Sequence, residues 1–163
     1  METKNKIVKK AKVCYVVSKV LYFVSFAACL AFIALAIALP LTNAIDAYAP
    51  AETAVLFATM AVYAFFCIGL LWNVESLFKS IVDQKAPFGK AVSHYMKKIA
   101  IFVLLLSIVP ALCGSIVLRI VRPETLMNYP IELSGVIVGI VLFFVGMFFD
   151  YGNDLQKRDD ETL

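Results

Sequence analysis

The segment NVESLFKSIVDQKAPFGKAVSHYMKK, residues 73–98, separates the second and third apolar runs of the chain. Its first half has apolar side chains at helical spacing, and its second half repeats the pattern after a break at Gln84 to Pro87. The apolar positions are Val74, Leu77, Phe78, Ile81 and Val82, then Phe88, Ala91, Val92, Tyr95, Met96 and Ile99. The pattern predicts an amphipathic helical hairpin. It either extends the adjacent apolar helices by about 15 Å or bends onto the membrane surface.

The composition around this hairpin is that of a membrane protein. The chain has 163 residues, of which 62% are hydrophobic, and a soluble domain of this size could not cover so much apolar surface. Four runs are long enough to cross a hydrocarbon core of about 30 Å. They are residues 18–39, 53–72, 99–120 and 131–149. Because lipid offers no hydrogen-bond partners to the backbone, we expect an all-α, integral membrane four-helix bundle as a single domain, 1–163.

Basic residues are concentrated in three segments. Of the fifteen Lys and Arg, six lie within residues 4–19, five within 79–98 and two at 157–158. The connection 41–52 has no basic residue and two acidic ones. By the positive-inside rule, the amino terminus, the hairpin 73–98 and the tail 150–163 are cytoplasmic, and four spans agree with that orientation. We therefore expect a multi-pass protein of the bacterial inner membrane, surrounded by the lipid bilayer.

Each span has a stripe of small residues, which lets helix backbones approach closely. The stripes are Ala27, Ala31, Ala34 and Ala38; Ala54, Ala58 and Ala61; Ser107, Ala111 and Gly114; and Gly135, Gly139 and Gly146. They predict tight packing within the chain, and the alternative is a homodimer through the glycine face of the fourth span. Pro110 should kink the third span, with Ser107 able to pair a carbonyl that the proline leaves free.

The sequence favours neither transport chemistry nor catalysis. Proton-coupled export needs an ionisable group deep in the membrane, and the spans have none. The single histidine, His94, lies on the polar face of the hairpin without the further ligands that a metal site needs. We expect no catalytic residue, no metal and no cofactor. Lysines beside a first span are typical topology determinants, so direct nucleic-acid binding is not expected either.

A flexible linker would be enough to join the second and third spans, yet the sequence predicts an ordered, amphipathic hairpin. This indicates a docking surface. We interpret the chain as a non-enzymatic interaction or regulatory protein that binds a cytoplasmic partner. Phe88 and Tyr95 are expected to pack within the hairpin. The candidate residues for docking a partner or lipid are Lys90, Lys97, Lys98, Asp159, Asp160, Glu161, Thr162 and Leu163.

Two other functions fit the same layout. The first is an oligomeric channel or transporter subunit, in which Pro110 and the glycine face of the fourth span line the pathway. The second is immunity to a membrane-active peptide. Substrate flux through the protein in liposomes would favour the first, and sensitivity of a deletion strain to a bacteriocin would favour the second.

Two short motifs resemble a known family. The turn Gln84-Lys85-Ala86-Pro87-Phe88 precedes a basic helix, and the chain ends in Asp160-x-Thr162-Leu163. In these motifs and in its four-span layout the chain resembles the bacterial membrane proteins grouped as domain of unknown function 2975. The resemblance implies no known reaction. It implies a small helix-turn-helix regulator as the cytoplasmic partner.

Overall fold

A computed structural model describes the backbone of residues 2–42, 50–84, 90–121, 123 and 129–161. Within these ranges it describes the side chains of residues 8–38, 52–83, 90–121, 123, 129–155 and 158. The elements are α1 (Glu2–Thr42), α2 (Pro50–Gln84), α3 (Lys90–Val121) and α4 (Leu133–Glu161). In this part of the chain there is no strand, and all four helices are long and apolar enough to cross a membrane. The prediction of an all-helical chain with four spans is confirmed at this level.

All four helices are longer than the apolar runs that predicted them. The first half of the segment 73–98 continues α2 without interruption to Gln84, and most of the second half belongs to α3, which begins at Lys90. The predicted break, Gln84 to Pro87, begins one residue too early, because Gln84 is the last residue of α2. The rest of the break and Phe88 lie outside the described residues. The last span also continues, because α4 is helical to Glu161 and includes most of the predicted tail. Amphipathic sequence at the helix ends explains the extra length, since helical hydrogen bonds form in water as well as in lipid.

The helices are arranged in a row. Within the described residues, α1 contacts α2, α2 contacts α3 and α3 contacts α4, and no other pair of helices is in close contact. The outer helices α1 and α4 therefore do not close the bundle against each other. Each helix packs only on its neighbours in the chain.

A strip with a seven-residue repeat mediates the contact of α1 with α2. Between Val8 and Ala38, the positions that are not fully exposed recur at alternating spacings of three and four, and Ala28 is the one addition. These positions are Val8, Ala11, Tyr15, Ser18, Tyr22, Ser25, Cys29, Phe32 and Ala36. A strict repeat of this kind keeps one face on a neighbouring helix over many turns, as in left-handed membrane helix pairs. Across it, the Tyr22 and Trp72 rings lie 5.8 Å apart between their centroids.

The predicted small-residue stripes have different outcomes. In α3 the residues Ser107, Ala111 and Gly114 are buried, as predicted for a packing face. In α1 the predicted packing face is wrong. Its small residues, Ala27, Ala31, Ala34 and Ala38, are all exposed. The reason is that α1 has a single helical neighbour, and the strip with the seven-residue repeat, which lies on another face of α1, contacts it.

Pro110 lies inside α3, which continues from Lys90 to Val121 without a break, and its side chain is fully buried. Ser107 does not pair the carbonyl that the proline leaves free. Its hydroxyl donates to the carbonyl of Val103, at 2.9 Å, whereas the carbonyl that loses its helical N–H donor is that of Leu106. Back-bonding to residue i−4 satisfies the hydroxyl of Ser107 within its own helix.

Candidate interaction site at the basic end of the helices

The antiparallel order of the helices brings four basic or amphipathic segments to one end of the molecule. These are residues 8–19 of α1, 73–83 of α2, 90–98 of α3 and 150–158 of α4, and we call them together the basic end. The segments of α1 and α2 line one groove, and a salt bridge connects those of α3 and α4. Most of the exposed charged side chains of the described chain lie at this end.

A polar cluster joins α3 to α4 at this end. The ammonium group of Lys97 forms a salt bridge with Oδ2 of Asp150, and Oδ1 of the same carboxylate accepts from the hydroxyl of Ser93. The Ser93 hydroxyl also lies 2.9 Å from the carbonyl oxygen of Gly146, so its one hydrogen is shared between two acceptors. Ser93 is completely buried, while the side chains of Lys97 and Asp150 are 31% and 39% exposed. We call Ser93, Lys97 and Asp150 the α3–α4 cluster.

The local sequence explains why the cluster forms. Ser93 and Lys97 are four residues apart on α3, and Gly146 and Asp150 are four residues apart on α4, so each pair lies on one helical face. Gly146 lacks a side chain, and a Cβ there would lie 2.9 Å from Cγ of Lys97. The glycine therefore lets the aliphatic part of Lys97 pack directly on the backbone of α4.

The chemistry of the α3–α4 cluster is suited to holding two helices together. A serine nucleophile must be accessible, and Ser93 is completely buried. A lysine that acts as a base must reach its substrate, whereas the amino group of Lys97 is held in the salt bridge with Asp150. With both carboxylate oxygens accepting hydrogen bonds, the cluster holds α3 and α4 in a fixed register near the membrane surface.

The predicted docking lysines of α3 have different surroundings. Lys90 and Lys98 are exposed, and the Lys98 ammonium lies 6.0 Å from the centroid of the Tyr95 ring. Lys97 has an intramolecular partner instead, because the face that it shares with Ser93 lies against α4. Tyr95 is half-buried and lines a groove between α2 and α3.

The predicted tail residues cannot be compared in the same way. The side chains of Asp159, Asp160 and Glu161 lie outside the described residues, as do Thr162 and Leu163 entirely. The helix that leads to them is described to Glu161. The tail therefore continues the axis of α4 for almost its whole length.

The glycine face of α4 lies against α3. A Cβ at Gly135 would overlap the hydroxyl of Ser107, and a Cβ at Gly139 would lie 2.7 Å from Cγ of Leu104. Gly146 faces Lys97 in the same way. The glycine face of α4, for which packing within the chain was predicted and a homodimer was the alternative, thus lies against α3 of the same chain.

Asp150 and Ser93 are the two residues that the sequence reading missed. Ser93 and Lys97 lie opposite the apolar positions of the hairpin, on the side that the pattern predicts to face solvent. Asp150 was predicted only to begin the tail. A signal for their pairing was present in the sequence. Lys97 precedes the third apolar run by two residues and Asp150 follows the fourth by one, so both lie at the same depth of an antiparallel pair.

Metal binding has no support in the described residues, where no three or more His, Cys, Asp or Glu side chains are grouped so that they could hold an ion. Some buried polar groups of the helices bond within their own helix, although the buried hydroxyl of Thr53 has no hydrogen-bond partner in the described chain. Thr59 donates to the carbonyl of Val55 at 2.8 Å, and the amide of Asn73 donates to the carbonyl of Gly69 at 2.7 Å. Such i−4 bonds let polar side chains lie among apolar helices without a ligand.

Four helices, each long and apolar enough to cross a membrane, place the described chain in the class of helical membrane proteins. Comparison with protein-family models, with curated proteins and with solved structures found no match. The basic end is the feature of the described chain that bears on function.

Proposed function

We propose that the chain is a multi-pass protein of the bacterial inner membrane, with both termini in the cytoplasm, that docks a cytoplasmic protein at its basic end. The observation that carries the proposal is the continuation of α2, α3 and α4 beyond the apolar runs as ordered helices. A protein that needed only an anchor would have no use for this structure. The interaction is non-enzymatic in this proposal, and the chain's role is to recruit or retain its partner.

The docking surface that we propose is a stripe on α3. Lys90, His94 and Lys98 are all exposed and follow one another at spacings of four residues, so they share one helical face about 12 Å long. Ser93 and Lys97, on the neighbouring face, fix α3 to α4. The stripe is therefore rigid. Its charge favours a partner with an acidic surface.

The resemblance to the family of domain of unknown function 2975 gives this partner a class. We propose a small helix-turn-helix regulator, held at the membrane by the α3 stripe and the tail 159–163. The basic character of the stripe supports contact with an acidic face of such a regulator, away from its DNA-binding surface. In this arrangement the chain itself does not contact nucleic acid.

The proposed orientation predicts which side of the membrane each helix end occupies. In a variant with its four cysteines replaced, a membrane-impermeant maleimide should label Lys90→Cys only after the cytoplasmic side has been opened. The side chain of Leu133, at the opposite end of the helices, is 70% exposed. Leu133→Cys should therefore be labelled in intact cells. Labelling of both positions from the same side would contradict the four-span orientation.

The docking proposal predicts loss of a partner when the stripe loses its charge. Full-length tagged protein, purified in mild detergent from its native membrane, should retain a cytoplasmic protein that mass spectrometry identifies. Replacing Lys90 and Lys98 together by glutamine should reduce that recovery at least tenfold, and a chain ending at Gln156 should reduce it similarly. The matched control replaces Lys9 and Lys10, which are also exposed but belong to α1, and should retain the partner.

If all four preparations contain only the protein itself, the docking proposal is wrong. Flux of ions or small solutes through the protein in liposomes would then support the channel alternative. Sensitivity of a deletion strain to a membrane-active peptide would support the immunity alternative.

A further inference from the structure

A groove between α1 and α2 lies at the basic end, on the side away from the α3–α4 cluster. It has a volume of about 350 Å³ and is open to the surroundings. Its lining consists of Lys12, Tyr15 and Val16 from α1 and Lys79, Val82 and Asp83 from α2. Two cations from different helices thus face a shared space with apolar walls. We propose that this groove binds the headgroup of one anionic phospholipid, of the phosphatidylglycerol type.

The charges of the groove are available for a ligand. Within the described residues, neither Lys12 nor Lys79 has a carboxylate within ion-pairing distance, and Asp83 has no cationic partner although Lys79 lies four residues before it. All three side chains are exposed. A phosphate between the two ammonium groups would supply the negative counter-charge that the protein does not provide.

Asp83 decides which headgroup fits. The two lysines and one aspartate leave a net positive charge, which favours a ligand of net negative charge over a zwitterion. A carboxylate beside the phosphate repels a second negative charge and accepts hydrogen bonds from hydroxyl groups. A phosphodiester whose headgroup has hydroxyl groups meets both conditions, whereas a doubly charged phosphate monoester does not.

The apolar wall of the groove continues along α1 into the membrane. Val16, Lys19 and Phe23 follow Lys12 on one helical face, at successive spacings of four, three and four residues. Val16 and Phe23 are 57% and 59% exposed. From Lys12 to Phe23 the helix rises about 17 Å, close to half the thickness of the hydrocarbon core. An acyl chain can therefore lie along this face while its headgroup occupies the groove. Tyr15 and Lys19, whose ammonium lies 6.0 Å from the Tyr15 ring centroid, mark the interface between the two.

The test is native mass spectrometry of the delipidated full-length protein in detergent, titrated with phosphatidylglycerol. The wild type should bind one molecule in preference to further ones. The double variant Lys12→Gln, Lys79→Gln should lose affinity for that first molecule by about 30-fold, the combined effect of two lysine–headgroup contacts. The control variant Lys10→Gln, Arg158→Gln has the same change in charge at exposed residues outside the groove and should stay within about twofold of the wild type.

Two further titrations examine the headgroup. Phosphatidylethanolamine should bind at least tenfold more weakly than phosphatidylglycerol, and Asp83→Asn should increase the affinity for phosphatidic acid. Equal losses in the groove variant and the control would overturn the proposal, because they would mean diffuse attraction to the basic end. Equal binding of the zwitterionic lipid would overturn it as well. Circular dichroism of every variant shows that each result concerns a folded protein.

Discussion

Replacing Gly139 by leucine is expected to separate α4 from α3 and to lower the free energy of unfolding by about 1–3 kcal/mol or more, the range for overpacked cores. Gly139 is buried, and a Cβ there would lie 2.7 Å from Cγ of Leu104 and 3.3 Å from the carbonyl oxygen of Ala100. The Leu104 side chain can rotate away. The Ala100 carbonyl belongs to the α3 backbone and cannot, so the helices must move apart.

Unfolding of the detergent-solubilised protein by sodium dodecyl sulfate, followed by circular dichroism, measures this effect. The control is Gly152→Leu, because Gly152 is an exposed glycine of the same helix and a Cβ there would meet nothing within 4 Å. The control should be as stable as the wild type or slightly more so, since leucine has the higher helix propensity. Equal stability of the Gly139 variant and the wild type would show that α4 does not pack on α3 through its glycine face.

The second large effect is expected from the α3–α4 cluster. Asp150→Leu leaves the Lys97 ammonium without its counter-charge and removes an acceptor from buried Ser93. Breaking a fully buried pair is much more costly than breaking an exposed one, and the side chains of Lys97 and Asp150 are 31% and 39% exposed. We therefore expect an intermediate loss of stability, about 1–3 kcal/mol.

A double-mutant cycle with Lys97→Met isolates the interaction. The variant with both changes should be more stable than the sum of the single losses predicts, with a coupling free energy of about 1–2 kcal/mol. Asp154→Leu, an exposed carboxylate one turn later in α4, is the matched control and should show no coupling to Lys97. If the losses from Lys97 and Asp150 simply add, the salt bridge does not contribute to the packing of α3 and α4.

The four helices could be predicted from sequence because the length and apolarity of a run are enough to identify a helix that can cross a membrane. Their ends could not. The runs stop at the last apolar residue near the membrane boundary, whereas α2 continues to Gln84 and α4 to Glu161. A helix that leaves lipid changes its solvent and keeps its backbone hydrogen bonds, so hydropathy marks the membrane boundary and not the end of the helix.

The site was only partly predictable for a related reason. Spacing correctly placed Ser93 and Lys97 on one face of α3, but a polar face can meet either solvent or a polar residue of another helix. Asp150 decides between these, and its alignment with Lys97 depends on how α4 is positioned along α3. The exposed alanines of α1 illustrate the same problem. Small residues indicate that close approach is possible, while the number of neighbouring helices decides whether it occurs.

The row of helices has a consequence for how the protein is made. Within the described chain each helix contacts only the one before it and the one after it, so every contact joins segments synthesised in succession. The paired strip of α1 and α2 can form before α3 leaves the ribosome, and α3 can join α2 before α4 exists. The last contact to form is that of α4 with α3, which includes Lys97 and Asp150. Biosynthesis from the amino terminus and assembly of the fold can therefore follow the same order.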